Sequence, residues 1–219
     1  REAITYAFDF EWSNKNLFSG AYKRTQSWFP NSVYSATTPA SDAEKALLSP
    51  FIEQLPDDYF TTDISAPIND GSGQIRNRMR EALALLKESG WKLDGQTLVN
   101  AEGRPLQFTV LNYHNPGIYR ILAPWFRNLK RLGIEAKYRE IDPAAYKQRL
   151  DTFDYDVVLF VLPVQAYPGP ELKDYFASAS AKVVGSRNLA GIRNPVVDFL
   201  VEHALSTDNE TDYRLSLQA

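Results

Sequence analysis

Between Pro105 and Leu162 the residues follow a pattern that few folds accommodate. Leu106, Phe108 and Val110 alternate with Gln107 and Thr109 across Pro105–Asn112, the period of two that marks a strand. Ile118, Ile121, Leu122, Trp125, Phe126, Leu129 and Leu132 then recur at helical spacing until Gly133 ends the stripe. Ile134–Ile141 reads as a second strand, and Pro143–Leu150 as a short helix with Asp142 at its N-cap. Tyr155–Leu162 reads as a third strand, nearly continuous in apolar residues and so expected to be buried on both faces. Strands separated by single helices must run parallel, with right-handed crossovers. The expected fold class is α/β: a mixed sheet with a parallel β-α-β-α-β core flanked by helices.

The flanks are read in the same way. Arg1–Phe18 is expected as one helix, since Ile4, Phe8 and Trp12 share a face. Residues 19–73 form a long irregular segment, punctuated by prolines, with one short helix around Ser41–Leu48. Ile75, Met79, Ala82, Leu83 and Leu86 mark a helix stopped by Gly90. Asp94-Gly95 and Glu102-Gly103 bracket Leu98-Val99 and predict a hairpin over Trp91–Arg104. Beyond the third strand come a loop at Pro163–Pro170, a short helix around Leu172–Ala179, a loop at Val184–Asn194 and a helix at Pro195–Leu205. Both chain ends read as cuts within a longer protein.

Chemistry is harder to find. The chain has no cysteine, which removes thiolate metal sites and thiol nucleophiles. A net charge of −3 argues against a nucleic-acid partner. Gly71 and Gly73 precede a helix, but Arg76 stands where a dinucleotide fingerprint needs glycine. Asp208, Glu210 and Asp212 imitate the start of a calcium loop, yet Tyr213 replaces its glycine and Ala219 its final glutamate. No cofactor and no metal site are therefore expected. His203 reads as a surface residue, while His114 follows the first parallel strand, the edge at which α/β sheets bind ligands.

Five stretches, in order along the chain, resemble one family. They are the helix with Ala7-Phe8-Asp9, the helix closing at Ser89-Gly90-Trp91, and Leu132-Gly133-Ile134 opening a strand. Asp142 and Tyr146 on a short helix, followed by Tyr155-Asp156, make the fourth, and Asn194-Pro195-Val196-Val197-Asp198 the fifth. Together they resemble the C-terminal lobe of the family 5 (cluster C) extracellular solute-binding proteins of ABC transporters, of the peptide-binding type. Residues 10–29 and Gly185–Ile192 are most similar to a subgroup that takes up oligopeptides and peptide-like antibiotics such as microcin C.

The resemblance implies a periplasmic-binding-protein-like type II lobe, with residues 1–219 as a single lobe. It also implies a periplasmic location, a peptide ligand, an inner-membrane ABC permease as partner, and an N-terminal lobe lying outside this chain. No enzymatic activity is expected. Candidate ligand-binding residues are Tyr22, Arg24, Asn112, His114, Gln165, Tyr167, Arg187 and Asn188. Many family members place an acid in the loop after the last strand to meet the ligand's amino terminus. Here no acid precedes Glu171, so Glu171 and Asp174 are the only stand-ins. Two alternatives stay open. An α/β enzyme domain such as a hydrolase would need a catalytic partner beside His114. A nickel or haem carrier is disfavoured by two scattered histidines and one methionine.

Overall fold

The computed structural model describes residues 1–36, 39–57, 59–60, 67–163 and 165–219, with Pro116 as backbone only. The helices are α1 (Glu2–Tyr6), α2 (Phe10–Leu17), α3 (Asp42–Leu48), α4 (Arg76–Glu88), α5 (Pro116–Arg131), α6 (Pro143–Asp151), α7 (Glu171–Phe176), α8 (Pro195–Ser206) and α9 (Glu210–Gln218). The strands are β1 (Lys92–Asp94), β2 (Thr97–Val99), β3 (Gln107–Tyr113), β4 (Glu135–Ile141) and β5 (Val157–Val158). They divide between two compact units: Arg1–Arg24, Ala66–Arg149 and Asp154–Phe160 in one; Thr25–Ser65, Leu150–Phe153 and Val161–Ala219 in the other.

The first unit carries the parallel sheet, in the order β4-β3-β5. β3 pairs with β4 from Gln107↔Glu135 to Tyr113↔Ile141, and with β5 through Val110↔Val157 and Leu111↔Val158. All three expected strands are thus parallel neighbours. The third is far shorter than its apolar run suggested. Side chains take the ladder positions at both of its ends: the Asp156 carboxylate accepts from the Thr109 amide at 2.9 Å, and the Tyr146 hydroxyl donates to the Leu159 carbonyl at 2.8 Å. β5 is an edge strand beside β3, and Val157 and Val158 are only half-buried, so the expected burial on both faces does not occur. Val161, at the end of the expected strand, is 86% exposed.

Behind the sheet, Ala3, Ala7, Ala82, Leu86, Leu98, Leu129, Leu132 and Ile134 form the core. The small residues of α1 let it lie close to α4. The expected helix over Arg1–Phe18 is two helices. α1 ends where side chains of α5 take its last carbonyls, Trp125 Nε1 donating to Ile4 O at 3.0 Å and Asn128 Nδ2 to Ala7 O at 2.9 Å. Such carbonyls have no partner within their own helix. Asp9 then turns extended and caps α2, its carboxylate accepting from the Trp12 amide at 3.1 Å. The hairpin forms as expected, β1 antiparallel to β2, around Gly95 at φ +60°.

The second unit is helical. Phe29, Tyr34, Leu172, Tyr175, Phe176, Val201, Ala204 and Tyr213 make its core, with α8 packed on α9 and α7 on α8. The long segment at residues 19–73 contains α3, held by a capping box of Ser41 and Glu44, and a 3-10 turn at Ser49–Gln54. Residues 37, 38, 58 and 61–66 of that segment lie outside the described residues. His203 is not a plain surface residue: its Nδ1 lies 2.7 Å from Ser216 Oγ and ties α8 to α9.

Candidate ligand-binding site

The carboxyl edge of a parallel sheet gathers the groups that end its strands. In the first unit, β3 brings Asn112 and β4 brings Tyr138 and Glu140 to this edge. The register pairs Asn112 with Glu140 and Val110 with Tyr138, so these side chains share one face. Asn112 is only 2% exposed, and its Nδ2 donates to the Tyr138 hydroxyl at 3.1 Å. That hydroxyl donates to Glu140 Oε1 at 2.8 Å. The direction is fixed by chemistry, because a carboxylate only accepts. Burial, with help from the Glu140 contact and against the Asn112 hydrogen bond, raises the Tyr138 hydroxyl pKa and keeps it a donor. Glu140 Oε2 meets His114 Nδ1 at 3.4 Å; the His114 side chain is 75% exposed. Tyr119, itself exposed, packs its ring 5.5 Å from that of Tyr138.

Of the residues expected from sequence, Asn112 and His114 are therefore brought together, through Tyr138 and Glu140. These two intermediates were missed. Strand alternation held the signal, since 138 and 140 face as 112 does once the β3–β4 register is known. Tyr22 and Arg24 belong to the same unit but to a different set of contacts. The Tyr22 backbone is clasped by Asn14, which accepts from its amide at 3.0 Å and donates to its carbonyl at 2.7 Å, leaving an exposed ring. Arg24 is partly buried, donates to Pro67 O at 3.3 Å and lies over Phe10. Burial lowers its pKa, with Glu11 and Asp9 opposing.

The remaining four candidates belong to the second unit. Gln165 is exposed. Tyr167 is 64% exposed and stacks on Tyr213 at 4.6 Å, while the Tyr213 hydroxyl, its pKa raised by burial, donates to Pro168 O. Arg187 is partly exposed, but its guanidinium is engaged: Nη1 donates to the Tyr175 hydroxyl at 2.8 Å, and Nε lies 3.6 Å from Asp174 Oδ2. Asn188 is 0% exposed. Its amide donates to Ala177 O and Ile192 O and accepts from the Ile192 amide, so it holds its own loop and offers no group to an incoming ligand. It was expected as a ligand-binding residue of the late loop; the turn at residues 188–192 folds around its side chain. Among the described residues no group of three or more His, Asp or Glu side chains is arranged to hold a metal ion, and no helix is long and apolar enough to cross a membrane.

Residues 1–182 match the family model of bacterial extracellular solute-binding proteins, family 5, middle region. A putative binding protein of Brucella melitensis is 37% identical over the whole chain, which covers 36% of that protein. A probable peptide-binding protein of Agrobacterium fabrum, YejA, is 37% identical over 97% of the chain and 34% of its own length. The chain thus spans about a third of the length of these relatives. An oligopeptide-binding protein of Bacillus subtilis, solved with a nonapeptide, superposes on all of the chain and 38% of its own, with a TM-score of 0.68 at 20% identity. The α/β class with a parallel sheet and flanking helices is that of the type II periplasmic binding proteins among these neighbours. The chain belongs to family 5 of the bacterial extracellular solute-binding proteins.

Proposed function

We propose that the chain is the C-terminal lobe of the substrate-binding component of an ABC importer, which captures peptides in the periplasm and passes them to an inner-membrane permease. In this reading residues 1–219 act with an N-terminal lobe, and the protein is a binder rather than an enzyme. The observation that carries it is the parallel sheet whose carboxyl edge presents an ordered polar group, Asn112–Tyr138–Glu140–His114, in a chain of this family. Its Agrobacterium relative is named as a probable peptide-binding protein, and its Bacillus neighbour was solved with a nonapeptide. The exposed groups Tyr22, His114, Gln165 and Tyr167 are proposed to meet the ligand. Asn112 supports His114 through Tyr138 and Glu140, and Asn188 is spent on its own turn; Arg24 and Arg187 would first have to leave their present partners. Mass spectrometry of ligand released from the protein purified at its natural full length, followed by calorimetry with the peptides found, tests this. Recovery of no peptide and no affinity for any would end the reading.

One observation favours the hydrolase alternative: His114 does have an acidic neighbour, Glu140. A histidine oriented by a carboxylate is two-thirds of a hydrolytic triad. The third member, a nucleophile hydrogen-bonded to His114, is not found among the described contacts. Hydrolysis of fluorogenic peptide and ester substrates, lost in His114→Ala, would establish this alternative.

A further inference from the structure

We infer that the Glu140 carboxylate receives a cationic group of the ligand, an ammonium or a guanidinium, and that His114 is its displaceable occupant. The inference rests on the reading of the protein as a peptide binder.

Glu140 is prepared for such a role. One of its oxygens is fixed by the Tyr138 hydroxyl at 2.8 Å, and Tyr138 is fixed in turn by Asn112, which is buried. The second oxygen therefore has a set direction and a weak partner. Its contact with His114 is 3.4 Å, beyond the 2.7–3.2 Å range of good N–H···O bonds. His114 is three-quarters exposed, and pairs so open to water contribute little. A ligand ammonium or guanidinium approaching this oxygen would form a shorter, charge-assisted bond. The surroundings suit a cation as well. The Tyr138 ring and the exposed Tyr119 ring packed on it offer π faces that attract positive charge. The nearby lysine of β4, Lys137, is paired with Glu135 at 3.0 Å. Burial keeps the Tyr138 hydroxyl protonated, so the bond that aims Glu140 persists at neutral pH.

The test uses the protein at its natural full length and calorimetry with three synthetic tetrapeptide libraries. One has free amino termini but no Lys or Arg; one is N-acetylated and contains Lys and Arg; one is N-acetylated and lacks both. Wild type is expected to bind one of the first two about tenfold or more tighter than the third, the scale of a charge-assisted hydrogen bond. Which of the two is preferred tells a terminal ammonium from a side-chain cation. Glu140→Gln keeps an acceptor for Tyr138 and removes the charge; it is expected to erase the preference between the libraries. Tyr138→Phe keeps the charge but frees its direction, and is expected to lose part of the preference. His114→Ala is expected to keep the preference for the same library, since the Glu140 charge that makes it remains, and loss of that preference would overturn its role as occupant. Equal binding of all three libraries by wild type, or an intact preference in Glu140→Gln, overturns the inference while leaving the peptide reading in place. Binding of none of the three overturns the peptide reading itself.

Discussion

The backbone nitrogen of Leu98 donates to the Gly133 carbonyl at 2.8 Å, and a Cβ built on Gly133 would stand 2.8 Å from that same nitrogen. The hairpin and the turn between α5 and β4 are thus in backbone contact at a position where only hydrogen fits. Leu93 Cδ2 at 2.8 Å and Gln96 O at 3.1 Å close the remaining space, and φ is +80°. Gly133→Ala adds about 1–2 kcal/mol for the left-handed backbone and about 1–3 kcal/mol for overpacking. A loss of about 3 kcal/mol in urea unfolding is expected. A loss under about 1 kcal/mol would mean that the hairpin shifts away without cost.

Asp9 predicts a pH dependence. It is buried, its Oδ1 accepts from Trp12 and Asn69, and its Oδ2 has no partner. Burial, with Glu11 and Asp70 adding, raises its pKa above the usual 3.8, against the Trp12 and Asn69 hydrogen bonds. A carboxyl whose folded-state pKa is raised contributes stability that is fully present below its unfolded value and is lost as pH rises through the folded one. Asp9→Ser keeps an N-cap acceptor without the charge. Wild type should therefore gain stability relative to Asp9→Ser as pH falls from neutrality toward 4. A difference that stays flat across that range contradicts the burial argument.

Asn188 predicts a large loss without any ligand. Asn188→Ala takes away the partner of both the Ile192 carbonyl and the Ile192 amide, while the Ala177 carbonyl keeps the Ser180 amide and hydroxyl. A cost of about 3 kcal/mol is expected, since each buried unpaired group costs about 1–3 kcal/mol and the loop relaxes in part. Asn188→Asp should be worse at neutral pH, because a carboxylate would face two carbonyl oxygens. It should recover on acidification, when the protonated acid again donates. Thermal melts of both variants at neutral and acidic pH check the order.

Arg187 separates packing from binding. Its guanidinium bonds the Tyr175 hydroxyl, lies 5.4 Å over the Tyr175 ring and approaches Asp174. Arg187→Ala is expected to lower the melting temperature. Arg187→Lys should recover little, since an ammonium keeps the charge but not the planar fork. Comparable melting points for alanine, lysine and wild type would free Arg187 for a role in ligand binding alone.

Sequence alone determined the parallel core and the family. Alternation in Leu106–Val110, the stripe from Ile118 to Leu132, and the stops at Gly133 and Asp142 are local signals, because the positions that share a face lie two to four residues apart. Tertiary structure decided where elements end and which side chains meet. Arg1–Phe18 became two helices because Trp125 and Asn128, both 121 residues away from their acceptors, take the carbonyls of Ile4 and Ala7. β5 shrank because Asp156 and Tyr146 occupy ladder positions with side chains. Asn188 turned inward because its amide matches three backbone groups of its own turn and of Ala177. Glu140 and Tyr138 reached Asn112 and His114 only through the β3–β4 register, which periodicity does not specify. Periodicity fixes a residue's face on its own element, whereas its partner depends on how distant elements pack.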